Sequence, residues 1–296
     1  MSTSLTVTSN YTGALAGEIF VQAFKKADTI AKNAITVLPN VIGNAFLPKL
    51  THSAGLVAYA CGWDPTGAVT YSEKTLATKK FSIQLELCKD EFFQTFQAKA
   101  AGFGPADNEI PADIQTAILQ ALVENQAAVV DNAIWNGNDG ANTVNGLFKQ
   151  FTGDTAVIDV TGITITKSNV VDEIAKVYDA IIPEVEGDPD LVLLVSKNVA
   201  KAYKQNQAEQ GINTTVGEKE LNYLGLRIES MSAFPNDVMV CYRVKNVGFG
   251  TALLADHNEV RISDDEARLD GNVRAKMTFT LGAGYSFGEE IIYYRK

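Results

Sequence analysis

The residues best suited to nucleophilic chemistry lie near the C-terminus. Gly284-Tyr285-Ser286-Phe287-Gly288 matches the G-x-S-x-G pattern, in which a serine on a strand-to-helix turn attacks a carbonyl carbon. That pattern requires an acid and then a histidine downstream of the serine, but His52 and His257 both lie upstream. A triad in another chain order, with either histidine as base, has no positive support. We interpret the motif as a glycine-interrupted strand and keep a serine hydrolase using Ser286 as a distant alternative.

Other patterns for cofactor or metal chemistry fall short of their requirements. Gly102-Phe103-Gly104 and Gly282-Ala283-Gly284 lack the third glycine of a dinucleotide-binding fingerprint. Asn138-Asp139-Gly140 carries the glycine of a calcium loop, but positions one and three would be Trp135 and Gly137, which offer no carboxylate. The three cysteines are far apart, and with only two histidines they make a zinc site improbable. We expect no cofactor, no metal and no enzymatic activity.

Composition narrows the class of protein. The chain has 296 residues, 46% of them apolar, which is enough to bury a sizeable core. Its formal net charge is −10, from 25 Lys+Arg and 35 Asp+Glu, which disfavours a dedicated nucleic-acid reader. The longest aliphatic run, Leu191 to Val195, is far shorter than the ~20 residues of a membrane span. We expect an acidic globular protein of a reducing, cytoplasm-like compartment, neither inserted into a membrane nor exported.

The first third of the chain predicts extended appendages. Residues 1–13 are rich in Ser, Thr and Asn and predict a polar arm that docks on a neighbouring subunit. Apolar residues at helical spacing predict an amphipathic helix from Leu15 to Ile35. Residues 51–80 predict a long β-hairpin, because Asp64-Pro65-Thr66-Gly67 suits a type I turn. This hairpin contains few large aliphatic residues, which indicates a mobile flap or an arm that binds a partner.

The remainder predicts a body with helices and strands in separate blocks. Strict alternation from Phe81 to Cys88 indicates a half-buried strand, and apolar spacing from Pro111 to Trp135 indicates a long spine helix. A helix capped by Ser168 or Asn169 is followed by a strand over Leu191 to Val195, buried on both faces. Ser196 then caps another helix, and the rest is strand-like: Leu224 to Ile228, Val238 to Tyr242, Val260 to Ile262 and Val273 to Leu281. Segregated blocks favour an α+β fold over a doubly wound parallel sheet.

The order of these elements resembles the major capsid protein of tailed double-stranded DNA bacteriophages, the Hong Kong ninety-seven fold. The most specific stretch is the end of the spine helix, Asp131 to Gly137, followed by Asn145-Gly146-Leu147-Phe148. Lys79 to Glu91 resembles the strand that leaves the family's extended loop. Leu193 to Ser196 and Tyr223 to Leu226 resemble its axial domain. The likeness runs from about Glu18 to Tyr293, nearly the whole chain.

The resemblance implies a division of the chain into five parts. They are an N-terminal arm and helix (1–50), an extended hairpin loop (51–80), a peripheral domain with the spine helix (81–164), an axial domain (165–250) and return strands of the peripheral domain (251–296). In that family the extended loop reaches over neighbouring subunits. Carried over to this chain, the residues of intersubunit contact would be Trp63, Asp64, Pro65, Gly67 and Tyr71.

The implied function is that of a structural subunit that assembles into homo-pentamers and homo-hexamers of an icosahedral capsid in the virion, assembled in the host cytoplasm. Implied partners are a separate scaffold protein, a portal, decoration proteins and packaged double-stranded DNA held without sequence-specific binding. The net acidity fits a lining that does not grip phosphates, so that DNA slides during packaging. Because no charged scaffolding segment precedes Leu15, we expect no N-terminal maturation cleavage. The alternatives are an encapsulin-like nanocompartment shell and a minor decoration or tail protein.

Overall fold

The computed structural model describes most of the chain. The described residues are 8–12, 28–53, 55–56, 58, 61–62, 67–88, 126–211, 221–252, 259–264 and 272–296. The strands, in chain order, are β1 (Thr8–Thr12), β2 (Thr36–Leu38), β3 (Asn44–Ser53), β4 (Ala68–Ala77), β5 (Lys79–Cys88), β6 (Ile158–Thr161), β7 (Leu191–Ser196), β8 (Leu221–Tyr223), β9 (Leu226–Met231), β10 (Met239–Arg243), β11 (Val247–Thr251), β12 (Glu259–Asp264), β13 (Asn272–Tyr285) and β14 (Ile292–Arg295). The α-helices are α1 (Asp28–Ala31), α2 (residues 126–136 of the described part), α3 (Leu147–Gly153), α4 (Val170–Asp179) and α5 (Lys197–Glu209).

The first sheet is built around the long strand β13. It has the order β1-β12-β13-β11-β2, and β5 pairs with β13 as well. β5 runs antiparallel to β13 from Cys88 opposite Asn272 to Lys79 opposite Leu281. The strand predicted from the alternation between Phe81 and Cys88 is confirmed as β5.

The second sheet has the order β6-β14-β10-β7-β9-β8, with α4 and α5 packed on one face. Its strand β7 is buried along its whole length, as predicted. Leu193 and Val195 join the cluster with the two helices, whereas Val192 and Leu194 join the cluster on the opposite face. This burial on both faces explains why the run is aliphatic without alternation.

The end of the spine helix, α2, carries the aromatic centre of the core. Trp135 is fully buried, and its ring packs 4.7 Å from the ring of Phe234 and 5.4 Å from that of Phe148. Its Nε1 donates a 2.9 Å hydrogen bond to Thr29 Oγ1. Asp131, one turn earlier, accepts the Thr29 backbone N–H at 3.2 Å, and burial raises the pKa of this carboxyl. These bonds dock α1 onto the spine helix.

Some predicted boundaries are wrong, for local backbone reasons. The helix expected to reach Ile35 ends at Ala31, where Asn33 adopts a left-handed φ of 49°, and β2 follows. The strand expected from Leu224 begins at Leu226, since Leu224 and Gly225 both have positive φ and form the turn after β8. Within residues 251–296, β12 and β13 belong to the first sheet, whereas β14 lies between β6 and β10 in the second sheet.

Several expectations fall wholly or partly on residues outside this description. They are the polar arm over 1–7 and 13, the amphipathic helix over 15–27, the type I turn over 64–66 and the spine helix over 111–125. None of the described helices has the length and apolar character needed to cross a membrane.

Candidate intersubunit hairpin

The extended hairpin is formed by β3 and β4, which pair antiparallel from Asn44 opposite Ala77 to Ser53 opposite Ala68. These two strands make a sheet of their own. Ten residues in a strand span about 30 Å at 3.4 Å per residue. An isolated two-stranded ribbon is marginally stable in water, so its order must come from what its faces touch.

One face of the ribbon is exposed and carries four large apolar side chains beside His52 and Glu73. Leu50 lies directly opposite Tyr71, and residues two or four positions away along each strand share their face. The large apolar side chains of this outward face are Phe46, Leu50, Val69 and Tyr71, with exposures of 58, 62, 71 and 63%. Contiguous exposed apolar surface of this kind marks an interaction site.

The opposite face anchors the ribbon to the body through Leu76. This side chain is fully buried and lies over the glycines of β11 and β13. A Cβ atom at Gly250 would stand 2.7 Å from Leu76 Cδ2, and one at Gly284 would stand 3.4 Å from Leu76 Cβ. A Cβ at Gly282 would meet the Ala77 carbonyl oxygen at 2.4 Å. The glycines therefore form a floor that lets the hairpin approach the sheet closely.

A polar cluster ties the same face to the body. Lys74 Nζ lies 2.5 Å from Asp154 Oδ2 and 3.9 Å from the centre of the Tyr285 ring. Tyr285 OH donates a 2.8 Å hydrogen bond to the same Asp154 oxygen. Burial alone would raise the pKa of Asp154, but hydrogen bonds from Lys74, the Ala156 N–H and Tyr285 outweigh it and lower this pKa to about 2.

A second ion pair lies farther along the ribbon, where Lys49 Nζ is 2.7 Å from Glu289 Oε1. The anchored face thus fixes the direction of the hairpin, while the outward face stays available.

Two of the five residues predicted for intersubunit contact are among the described residues. Tyr71 lies on the outward face and Gly67 is exposed just before β4, whereas Trp63, Asp64 and Pro65 lie outside the described residues. Sequence reasoning missed Phe46 and Leu50, because the paired strands begin at Asn44, before the predicted start of the hairpin. The apolar residues at every second position, Phe46, Pro48 and Leu50, were the available signal.

The G-x-S-x-G motif does not form a nucleophile elbow. β13 ends at Tyr285, and a single 3-10 turn over Gly288–Glu290 follows instead of a helix. The Ser286 backbone N–H donates to Asn246 O and Oδ1, both at 3.1 Å. These hydrogen bonds fix the Ser286 backbone to Asn246 immediately after the end of β13. His52 lies on β3, whereas His257 is outside the described residues. Within the described part of the chain, no cluster of three His, Cys, Asp or Glu side chains could hold a metal ion.

No protein-family model and no curated protein sequence matches this chain. Solved structures match over nearly its whole length. A chain from the satellite phage P4 procapsid, solved with its size determination protein, has a TM-score of 0.61 and 15% identity, covering 94% of this chain and 98% of that one. The capsid of a native GTA particle gives 0.63 and 12% over 92% and 89%. The cyanophage A-1(L) capsid gives 0.57 and 13% over 91% and 92%.

The fold predicted from the resemblance is confirmed, because the chain has the α+β fold of phage capsid proteins.

Proposed function

We propose that this chain is a structural subunit that assembles into pentamers and hexamers of an icosahedral capsid enclosing a double-stranded DNA phage genome. The observation that carries the proposal is the fold shared with capsid chains over more than nine-tenths of this chain. Coverage of those chains is similarly complete, at 98, 89 and 92%.

The hairpin supports assembly independently of the fold comparison. Its outward face exposes Phe46, Leu50, Val69 and Tyr71 in the single chain. Burying a leucine-sized side chain contributes about 1.5–3 kcal/mol, so covering this face with another subunit would stabilise a shell substantially. We propose that this face and the tip, with Trp63, Asp64, Pro65, Gly67 and Tyr71, lie over a neighbouring subunit.

The role is structural rather than catalytic, and the site of action is the virion. Assembly would take place in the host cytoplasm with a separate scaffold protein, a portal and decoration proteins. The broken context around Ser286 supports this reading. Loss of an esterase activity of the isolated protein in Ser286→Ala would contradict it.

The hairpin's part is tested with two variants of adjacent residues. Leu50→Glu places a charge on the outward face, and Thr51→Glu places the same charge on the opposite face of the same strand, where Thr51 is also exposed. Light scattering with negative-stain imaging measures the assembled fraction. We expect wild type and Thr51→Glu to form capsomers, tubes or shells, and Leu50→Glu to remain largely unassembled with an unchanged thermal midpoint.

Equal assembly of the two variants would contradict the placement of the outward face at an interface. A strictly monomeric wild type of 31.9 kDa, even with crowding agents or a candidate scaffold, would contradict the capsid function itself. The nucleic-acid absorbance of purified particles then separates a phage capsid from a nanocompartment, since only the capsid would hold DNA.

A further inference from the structure

A lysine-lined groove runs along helix α5, which packs on one face of the second sheet. Lys197, Lys201 and Lys204 recur at intervals of four and three residues and therefore share one side of the helix. Ala200 and Ala208 of the same helix form the shallow floor of the groove. Ser230 of β9 closes the far side of this groove, which has a volume of about 460 Å³.

The groove concentrates positive charge that no described carboxylate neutralises through an ion pair. Across the part of the chain that the structure describes, no carboxylate forms an ion pair with Lys197, Lys201 or Lys204. Six of the other described lysines are paired: Lys49, Lys74, Lys79, Lys167, Lys176 and Lys245 each lie beside an Asp or Glu. Lys32 adds a fourth ammonium, because its Nζ donates to the Ser230 carbonyl oxygen at the groove's edge.

The position of Lys197 adds to the positive electrostatic potential of the groove. It occupies the first turn of the thirteen-residue helix α5, and no acidic residue lies in that turn. The N-terminus is the positive end of the helix dipole, so a lysine there raises the local potential where acidic residues usually lower it. On a chain of net charge −10, this groove is a strongly basic exception.

We propose that this groove binds the phosphate backbone of double-stranded nucleic acid. Lysine offers a point charge suited to phosphate, whereas the bidentate forks typical of planar carboxylate recognition come from arginine, which is absent from the groove lining. The alanine floor provides no deep apolar pocket for a peptide side chain, and the lining has no aromatic ring for stacking on a base. Binding is therefore electrostatic and independent of sequence.

The dimensions agree with that occupant. The axial rise between Lys197 and Lys204 is about 10 Å at 1.5 Å per residue. Duplex DNA carries one charge per ~1.7 Å of its axis, so the three lysines face several phosphates at once. The identity of the nucleic acid as packaged DNA rests on the proposed function. A local basic site on an otherwise acidic chain gives weak, salt-labile contact.

The test measures binding of the full chain to a fluorescent 20-base-pair duplex. Fluorescence anisotropy over a salt series compares wild type with two charge-matched triple variants. The groove variant is Lys197→Gln, Lys201→Gln and Lys204→Gln. The control removes three exposed lysines elsewhere, Lys80→Gln, Lys245→Gln and Lys276→Gln. Circular dichroism checks that both variants are folded.

The plot of log K against log salt has a negative slope, and each lost phosphate contact makes that slope less steep by about 0.9. We expect the slope of the groove variant to be less steep than that of wild type by about 2 to 3. We also expect its binding at low salt to be weaker by about tenfold or more, whereas the control should stay close to wild type. Equal effects of the two variants would overturn the proposal. Groove-dependent binding of polyglutamate that is tighter than binding of the duplex would also overturn it and indicate an acidic peptide.

Particle imaging of the same proteins separates this inference from the proposed function. Shells formed by a wild type whose duplex binding does not depend on the groove would refute the groove alone. A wild type that stays monomeric yet binds the duplex through the groove would refute the capsid role and retain the phosphate site.

Discussion

Leu76 of the hairpin lies directly against Gly250 of the first sheet, where a Cβ atom would stand 2.7 Å from Leu76 Cδ2. Gly250 pairs with Gly282 across the sheet, and Gly248 pairs with Gly284. Gly248, Gly250 and Gly284 thus lie beneath Leu76, whereas Gly282 lies beneath the backbone of Ala77 and Thr78. The hairpin is seated by shape as well as by its ion pairs, and this arrangement makes its root rigid.

We expect Gly250→Ala to destabilise the protein by about 1–3 kcal/mol, because the added methyl group overpacks the contact with Leu76. Urea unfolding measures the change. Gly153→Ala is the control, since a Cβ there meets nothing within 4 Å. The double variant Gly250→Ala with Leu76→Ala should lose less than the sum of the two single losses, because the shortened side chain makes room. Strict additivity would show that Leu76 is not the group displaced.

Asp154 should make stability depend on pH at the hairpin's root. Its pKa lies at about 2 in the folded protein, below the ordinary value of 3.8, so the carboxylate stabilises the fold above pH 3.8. This contribution is lost as the pH falls towards 2, and it amounts to at most about 2 kcal/mol. We expect Asp154→Asn to lower the free energy of unfolding at pH 6, with the difference from wild type vanishing near pH 2.

Asp159→Asn provides the comparison, because Asp159 forms an exposed ion pair with Arg295 at 2.7 Å. Exposed pairs contribute about 0–1 kcal/mol, so this variant should lose little at any pH. A loss in Asp154→Asn that is constant between pH 6 and 2 would mean that the carboxylate charge is not what anchors Lys74.

The cysteines should differ sharply in reactivity. Cys241 is fully buried in β10, and burial raises the pKa of its thiol to about 12. Because the thiolate is the reactive form, iodoacetamide should modify Cys241 only after unfolding, whereas the exposed Cys61 should react in the native protein. Peptide mapping by mass spectrometry follows each site, and native modification of Cys241 at the rate of Cys61 would contradict its burial.

Patterns of single strands and helices were readable from the sequence because each has its own periodicity. β5 shows alternation and β7 shows a continuous aliphatic run, and each reflects burial that the strand keeps in the fold. Asn169, one of two predicted caps, occupies the N-cap position of α4, but its side chain makes no capping hydrogen bond there. The ends of elements were harder, as at Leu224 and Gly225, since positive φ at a non-glycine residue leaves no clear sequence signal.

The functional surfaces needed pairing information that the sequence does not carry. Leu50 and Tyr71 are distant in sequence and meet only through the register of β3 with β4. Gly282 and Gly284 match part of a dinucleotide-binding fingerprint, yet their role is to admit the hairpin. Net charge does not reveal the lysines of α5, because it averages over the whole chain, whereas a groove is defined by one side of one helix.

Tyr294 and Glu173 offer a last test, within the core of the second sheet. Tyr294 OH donates a 2.7 Å hydrogen bond to Glu173 Oε2, and this carboxylate is almost fully buried. Burial raises the pKa of Glu173, but hydrogen bonds from Lys176 and Tyr294 outweigh it and lower that pKa. Removing the hydroxyl leaves a buried charge short of a donor, so Tyr294→Phe should cost about 1–3 kcal/mol at pH 7.

Tyr178→Phe is the matched control, because Tyr178 OH bonds Glu186 at 3.3 Å in an exposed setting. This control should lose well under 1 kcal/mol, as exposed hydrogen bonds are replaced by water. As the pH falls below the ordinary glutamate pKa of 4.5 and through the lowered pKa of Glu173, the Tyr294→Phe loss should shrink, since protonation removes the charge that the hydroxyl solvates. Denaturant unfolding at pH 7 and pH 3.5 measures both effects, and equal losses in the two variants would show that Glu173 draws no net stabilisation from Tyr294.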